Sequence, residues 1–313
     1  MRVLLATDGS RSADRARDLV AHLAWPTGTT IRVVAGLDAN TDLIAAPWIV
    51  PTKDEVDQLE VRRVEHVEKV LDTSEAALGR PGVTVQRYAF RGRAGSEIVD
   101  AAREWGADLV VLGNRGHSRL GSMILGSTSA EVVDHAPCPV LVVREDVVEE
   151  VVLAMDGSPG AALAEHVLTD WPIFRNLPVS VVSVAATEIP WNAGMATGLY
   201  DEVLASYSHD VDAARRETLQ LAEATAVQLR AVGIAAVGHA REGDPATELV
   251  EFARTRTHPL IVMGSRGHTG LARLLLGGVA RNVLHHASGS VLIVRENVTV
   301  RPEPAEKVAA AAR

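Results

Sequence analysis

Glycine and hydroxyl side chains stand near the middle of the chain in a spacing that suits an anion. Gly113 and Gly116 are followed, after nine further residues, by a second cluster: Gly126, Ser127, Thr128 and Ser129. Glycine lets the backbone approach a phosphate closely, and a helix that begins at such a cluster offers free N–H groups and the positive end of its dipole. Arg115 adds positive charge to the loop, or it points to solvent. The pattern predicts a phosphate-binding loop other than a P-loop, because no Gly-Lys-[Ser/Thr] follows.

An acidic residue follows the first apolar run of the chain. Residues 3–7 predict a buried strand, and Asp8 comes directly after it. In an open α/β sheet the ligand lies at the carboxyl ends of the strands, so Asp8 faces the glycine loop if the strand before Gly113 lies beside the first strand. A carboxylate there suits a ribose hydroxyl or an adenine amine. Alternatively, Asp8 caps the helix that follows.

Both features occur twice, because the chain is an internal repeat. The segment that begins at Leu260 repeats the segment that begins at Leu109, 151 positions earlier. We therefore expect one domain at residues 1–146, a second at 147–298, and a flexible tail at 299–313 that is rich in Pro, Glu and Ala.

The second copy keeps the carboxylate and the glycines but loses hydroxyls. Asp156 stands 148 positions after Asp8, and Gly278 replaces Ser127. A hydrogen bond to a charged group contributes about 1.5–3 kcal/mol, so we expect the second loop to bind an anion more weakly than the first. Arg266 corresponds to Arg115 and has the same two possible orientations.

Short apolar runs alternate with helical patterns in both copies. Predicted strands cover 30–37, 83–90, 109–112 and 140–143 after the first strand, and 179–185, 234–240, 260–263 and 291–294 in the second copy. Predicted helices cover 52–78, 94–104, 197–231 and 245–254. Such alternation gives a parallel sheet with helices on both faces, and five strands per copy suit a doubly wound, Rossmann-like domain.

One long helix has a mixed pattern. In the predicted helix 52–78 the charged residues form a solvated face with i,i+4 pairs. The apolar residues form an inward stripe made of Val56, Leu59, Val67, Val70 and Leu71.

Composition limits the class of partner. The 313 residues carry a net charge of −9, which argues against nucleic acid or an anionic membrane as the main partner. The single cysteine, Cys138, excludes an intrachain disulfide, and its apolar surroundings indicate a buried, inert thiol. No apolar run approaches the length of a membrane span. We expect a soluble cytoplasmic protein.

The residues of the first loop resemble a known family. Gly113, Gly116, Gly126 and Ser127 match the pattern Gly-x2-Gly-x9-Gly-[Ser/Thr] of ATP-binding universal stress proteins. The chain resembles two such domains in tandem, over residues 1 to about 296. The resemblance implies that each domain has the strand order 3-2-1-4-5 and binds ATP in its cleft. Magnesium would arrive with ATP and be held mainly by its phosphates.

The resemblance also implies ligand contacts, in which the first-strand aspartates meet ribose and adenine and the glycines bracket ribose and phosphates. Ser127, Thr128 and Ser129 are implied phosphate donors. In the first copy the implied contacts are Ala6, Thr7, Asp8, Gly36, Leu112, Gly113, Arg115, Gly116, Gly126, Ser127, Thr128 and Ser129. In the second copy they are Ala154, Met155, Asp156, Val184, Met263, Gly264, Gly267, Gly277 and Gly278. We assign no residue of the chain to a metal site or to catalysis.

Three functions fit these features. The first is a regulatory ATP sensor in stress response or dormancy, since the chain has neither a P-loop lysine nor a kinase catalytic loop. The second is a slow ATPase or another nucleotide-processing enzyme that uses His117 or Asp8. The third is a nucleotide-free scaffold or chaperone-like protein, which the altered second loop makes plausible.

The duplication predicts how the domains assemble. Two copies in one chain imply a pseudo-twofold pair, because the interface of a homodimer is self-complementary. The resemblance implies that the edges of the last strands, 140–143 and 291–294, meet across that axis. We also expect a homodimer of the whole chain and a protein partner that reads the bound state.

Overall fold

The computed structural model describes residues 1–37, 52–116, 125–186, 200–267 and 276–295, and for 200–211 the backbone alone. The predicted tail, 299–313, and the loop histidine His117 lie outside these residues. The elements of the first copy are β1 (Arg2–Thr7), α1 (Arg11–His22), β2 (Thr29–Gly36), α2 (Lys53–Leu78), β3 (Val83–Phe90), α3 (Ala94–Trp105), β4 (Leu109–Gly113), α4 (Ser127–His135) and β5 (Val140–Val143).

The second copy repeats this order. Its elements are β6 (Glu150–Ala154), α5 (Pro159–Asp170), β7 (Val179–Ala185), α6 (Tyr200–Ala231), β8 (Ala236–Glu242), α7 (Pro245–Arg254), β9 (Pro259–Gly264), α8 (Gly278–His286) and β10 (Ser290–Val294). A short 3-10 helix, Pro172–Phe174, follows α5. The predicted boundary between the domains lies in the connection between β5 and β6.

The strands form one sheet of ten in the order β3-β2-β1-β4-β5-β10-β9-β6-β7-β8. Within each half the order is 3-2-1-4-5 and neighbouring strands are parallel, which confirms the predicted fold. The halves join where β5 pairs antiparallel with β10, with Leu141 opposite Leu292. This pairing confirms that the last-strand edges meet.

Apolar side chains cover both faces of the sheet. One core cluster joins the sheet to α1, α2, α5 and α6, and includes Leu19, Leu71 and Leu168. The other joins it to α3, α4, α7 and α8, and includes Ile98 and Val283. Because equivalent helices of the two halves share a face, the halves are related by an approximate twofold axis perpendicular to the sheet.

The long helix α2 departs from its predicted stripe at one end. Thr52 is the N-cap and forms a capping box with Glu55, so the helix begins at Lys53. Val67 and Leu71 are buried as predicted, whereas Val56 is 48% exposed, so its assignment to the inward stripe was wrong. The buried residues of α2 begin at Val67, so the first turns of the helix are more exposed than the rest.

Candidate functional site

The strand order brings the first-strand carboxylate against the glycine loop. β1 pairs with β4, with Ala6 opposite Leu112, so Asp8 and the residues after Gly113 leave the same edge of the sheet. A Cβ atom on Gly116 would lie 2.5 Å from Asp8 Oδ2. Glycine is therefore needed at Gly116 because the carboxylate occupies the space of a side chain.

The second copy reproduces this contact. A Cβ atom on Gly267 would lie 2.5 Å from Asp156 Oδ2, the same separation as in the first copy. Gly264 is packed as closely, since its Cβ would lie 2.5 Å from the main-chain carbonyl carbon of Gly160. The sequence prediction that the loop faces the first-strand aspartate is thus correct in both domains.

The aspartates are not the helix caps. Ser10 is the N-cap of α1, and its Oγ accepts from Ala13 N at 3.3 Å; Ser158 has the same role in α5. Asp8 Oδ1 accepts from Ser10 N at 3.0 Å, and Asp156 Oδ1 accepts from Ser158 N at 2.9 Å. Each carboxylate is therefore held by the backbone of the capping residue, with Oδ2 directed at the glycine loop.

The second glycine cluster begins a helix in both domains. Gly126 is the N-cap of α4, and Gly277 is the N-cap of α8. No described side chain makes a capping hydrogen bond at the amino end of either helix. Gly126 N donates to Asn114 O at 2.8 Å, and Gly277 N donates to Ser265 O at 2.9 Å, which closes each loop. The remaining N–H groups of the first turn are the donors that an anion would use.

The hydroxyl of Ser129, an implied phosphate donor, forms a hydrogen bond within the loop. Ser129 is buried, and its Oγ donates to Gly113 O at 2.9 Å. The single hydroxyl proton is thereby directed at the loop backbone, so in this structure Ser129 braces the loop and does not present a donor to a phosphate. Ala280 stands at this position in the second domain.

The described residues of the second domain line a cavity of about 550 Å³. It extends from the glycine loop to β7 and α6, and Arg266, Glu217 and Asp156 are its charged lining residues. It also contains every position that the resemblance implied for this copy: Ala154, Met155, Asp156, Val184, Met263, Gly264, Gly267, Gly277 and Gly278. The structure therefore brings the whole second-copy set together, while contact with a ligand stays a prediction.

In the first domain α2 lies closer to the carboxylate. A Cβ atom on Gly9 would lie 2.7 Å from Val70 Cγ2 and 3.4 Å from His66 Nε2. The cavity that Asp8 and Gly36 share with these side chains and Arg63 holds about 20 Å³, the space of one water molecule. His66 and Val70 thus lie beside Asp8, whereas Glu217 and Leu221 line the cavity beside Asp156.

Sequence reasoning missed the helix residues that cause this difference. At the 151-residue offset His66 corresponds to Glu217 and Val70 to Leu221. An alignment of the two copies along α2 and α6 shows these residue differences. The weak periodicity of both helices, however, does not indicate which of their residues face the cleft.

Two arginines, the buried Arg144 and the half-buried Arg295, form hydrogen bonds between the two domains. Arg144 donates to the carbonyl oxygen of Leu284 near the end of α8, and Arg295 donates to that of Asp134, at 2.9 Å, near the end of α4. Burial, aided by the nearby positive charge of Arg115, lowers the pKa of Arg144 to about 10. Arg144 of the first domain thus caps the carboxyl end of α8, and Arg295 of the second domain caps that of α4. The amino ends of these two helices are part of the candidate sites.

Three other expectations concern the thiol, a metal site and a membrane span. Cys138 is buried, and desolvation, aided by Asp108, raises the pKa of its thiol to about 12. Within the described ranges no His, Cys, Asp and Glu side chains cluster as metal ligands do. None of the helices in the described part of the chain is long and apolar enough to span a membrane.

The fold and the site define a tandem α/β protein with two doubly wound domains, in each of which a glycine loop faces a first-strand carboxylate. The model of the universal stress protein family matches residues 1–144 and 148–295. A universal stress protein of Mycobacterium tuberculosis (strain H37Rv) is 33% identical over 315 residues, which covers 94% of this chain and 97% of that relative. The chain belongs to the universal stress protein family.

Single-domain and structural relatives agree. A universal stress protein of Thermus aquaticus is 37% identical over 142 residues, which covers 45% of this chain and 97% of that protein. The crystal structure of a universal stress protein from Archaeoglobus fulgidus has a TM-score of 0.60 and 18% identity, and the match covers 94% of this chain and 98% of that one. At this identity the structural likeness concerns the fold.

Proposed function

We propose that this chain is a regulatory nucleotide-binding protein of the stress response that takes ATP, with magnesium held by the phosphates. The observation that carries the proposal is the 550 Å³ cavity of the second domain, where the glycine loop, the first-strand carboxylate and the amino end of α8 converge. This volume lies in the range of small-molecule sites.

The lining suggests how ATP would lie. The phosphates would meet the glycine loop, Arg266 and the free N–H groups at the start of α8, because backbone donors and the helix dipole both favour negative charge there. Asp156 would accept from a ribose hydroxyl, and the base would lie against Ala154 and Val184.

The two domains would contribute unequally. The first loop retains Ser127 and Thr128 as donors, which favours phosphate binding there. His66 and Val70, however, narrow the region beside Asp8, where ribose or base would lie. We therefore propose the second domain as the principal ATP site, in contrast to the sequence ranking, and the first as a weaker site.

We propose a regulatory role in place of efficient catalysis. Phosphoryl transfer needs cations and a group that positions the nucleophile, and Arg266 is the one cation among the described residues that line the second cavity. ATP would act by stabilising one state of the chain, which a protein partner then recognises. We further propose that the chain works in the cytoplasm as a homodimer.

Isothermal titration of nucleotide-stripped protein with Mg-ATP tests the proposal. We expect binding in the wild type that is lost in Gly267→Ala, since the new Cβ would displace the Asp156 carboxylate 2.5 Å away. Gly116→Ala, the same change in the first domain, is the matched control and should leave the principal site intact. Absence of binding in the wild type would contradict the proposal and favour a nucleotide-free scaffold.

A further inference from the structure

A second cavity of the second domain, of about 620 Å³, lies between the carboxyl ends of α5 and α6. Glu165, Thr169 and Asp170 of α5 line it, together with Arg175 in the connection from α5 to β7. We call this cavity the α5–α6 groove. It lies at the amino ends of the strands, because α5 leads into β7 and α6 leads into β8. The groove is therefore separate from the glycine loop, which lies at the carboxyl ends.

The first domain fills the equivalent place with one of its own side chains. Arg80, in the turn between α2 and β3, donates to the carbonyl oxygen of Ala21 at 2.7 Å and to that of Leu23, at the carboxyl end of α1. Desolvation lowers the pKa of the Arg80 guanidinium, so this group is partly withdrawn from water. The place accepts a guanidinium because the last carbonyl groups of a helix, at the negative end of its dipole, lack partners within the helix.

The second domain has the same turn without the arginine. α1 and α5 correspond along their whole length at the 148-residue offset, and the 151-residue offset matches Arg80 to Ala231. Gly82 and Gly233, matched by the same offset, have similar positive φ angles of 82° and 87°, so the chain turns alike before β3 and β8. The methyl group of Ala231 is too short to reach the carboxyl end of α5. The place that Arg80 fills in the first domain is therefore open in the second.

The charges of the groove favour a cation more than those of the first domain do. Glu165 and Asp170 stand where the first domain has the basic residues Arg17 and His22. Burial raises the pKa of the Glu165 carboxyl, and the charge of His166 offsets this shift only in part. A cation in contact with the carboxylate would lower that pKa, so a cationic ligand would stabilise the ionised form of Glu165.

We propose that the α5–α6 groove binds a small guanidino amino acid. The guanidinium takes the place that the Arg80 side chain has in the first domain, next to the carboxyl end of α5. Its N–H groups donate to the carboxylates of Glu165 and Asp170. Arg175, the cation of the same lining, pairs with the carboxylate of the ligand. This site is independent of the proposed nucleotide cleft.

Titration calorimetry of the full chain with three probes tests the ligand class. L-arginine carries both charged groups, agmatine lacks the carboxylate, and L-citrulline has an uncharged side chain of nearly the same shape. We expect L-arginine to bind, agmatine to bind at least about tenfold more weakly because it loses a charge-assisted hydrogen bond, and L-citrulline to give no measurable heat. Agmatine binding as tight as that of L-arginine would overturn the amino acid as the ligand and favour an arginine side chain of a protein.

Three variants locate the binding. Glu165→Gln should weaken L-arginine binding at least about tenfold, and Ala231→Arg, which installs the first-domain residue, should abolish it by filling the groove. Glu251→Gln is the matched control, because Glu251 lies on α7, outside the groove, and pairs with Arg254. This variant should bind L-arginine as the wild type does. Absence of L-arginine binding to the wild type at millimolar concentrations, or binding that Glu165→Gln and Ala231→Arg both leave unchanged, would overturn the proposal.

Discussion

Gly278 shows how a single residue position sets the strength of the proposed phosphate site. It begins α8, and a Cβ atom there would meet no described atom within 4 Å. The equivalent residue of the first domain, Ser127, carries a hydroxyl at the same helix position. The second domain thus has an open cavity with a loop that lacks this hydroxyl, whereas the first has the hydroxyl in a domain where His66 and Val70 lie beside Asp8.

We expect Gly278→Ser to strengthen ATP binding. The hydroxyl would add one hydrogen bond to a charged phosphate, worth about 1.5–3 kcal/mol, or roughly a 10- to 150-fold lower Kd. Gly278→Ala is the matched control, because it adds the Cβ and the helix propensity without the hydroxyl. Titration calorimetry measures both. Equal affinities of the two variants would show that the hydroxyl does not reach the phosphates.

The buried thiol of Cys138 gives a pH-dependent prediction. In the unfolded chain the thiol ionises near its ordinary pKa of about 8.5, whereas the folded pKa is raised to about 12. At a pH between these two pKa values the folded state therefore binds more protons than the unfolded state. The stabilising contribution is fully present below the pKa of the unfolded chain, and it decreases as the pH rises towards the pKa of the folded chain.

Between about pH 8 and pH 10 we expect the wild type to lose about 2 kcal/mol more free energy of unfolding than Cys138→Ala. Urea denaturation at a series of pH values measures this difference. An alkaline loss of the same size in both proteins would mean that the thiol ionises as readily in the folded chain as in the unfolded one.

At the scale of elements, Arg144 and Arg295 each donate to carbonyl oxygens near the carboxyl end of a helix in the other domain. Arg144 is 8% exposed and donates to Leu284 O and, at 3.3 Å, to Gly289 O. Because hydrogen bonds from a charged donor contribute about 1.5–3 kcal/mol, Arg144→Met should lower the free energy of unfolding by about 2–4 kcal/mol. Chemical denaturation measures the change.

An exposed arginine provides the control. Arg103 forms an ion pair with Asp100 on the surface of α3, and such pairs contribute about 0–1 kcal/mol, so Arg103→Met should have little effect. If Arg144→Met were no more destabilising than Arg103→Met, the contacts across the interface would not contribute to stability.

Most elements could be predicted from the sequence because their patterns are strong. The strand 83–90 and the helix 245–254 agree with β3 and α7 residue by residue. The strand predicted at 234–240 begins only at Ala236, because the apolar Ile234 belongs to the turn after α6, where its N–H donates to Leu229 O at 3.0 Å. An apolar residue in a turn is indistinguishable from the start of a strand by periodicity alone.

The sequence predicted the position of the glycine loops relative to the aspartates, but not the volumes of the two clefts. Loop spacing and strand order suffice to place Gly116 against Asp8. The cleft volumes depend instead on which residues of α2 and α6 face the sheet, as His66 does in the first domain. That orientation is set by tertiary packing of long, weakly amphipathic helices, and the sequence holds little information on it. The ranking of the first loop above the second rests on the hydroxyls of the loops alone and stays a prediction.

At the scale of the whole molecule, the sheet continues through the middle of the chain. Leu141 and Leu292, opposite each other on β5 and β10, are nearly completely buried, and helices cover both faces. Separation of the halves would expose this apolar seam and break the backbone hydrogen bonds of the strand pair. The two halves should accordingly behave as one cooperative unit.

Hydrogen exchange of the native chain tests this cooperativity. We expect the amides of β5 and β10 to exchange with the slowest group, at the free energy of global unfolding, and those of the edge strands β3 and β8 to exchange sooner. Faster exchange in β5 and β10 than in β1 and β6 would show that the halves come apart before either unfolds.

The antiparallel junction of β5 and β10 also determines where the clefts open. Strands of the two halves run in opposite directions, and each cleft lies at the carboxyl end of its own strands, so the two mouths are on opposite rims of the sheet. A receptor seated over one mouth leaves the other accessible. If the proposed function holds, two protein partners would bind on opposite sides of the sheet, each next to the cleft of one half.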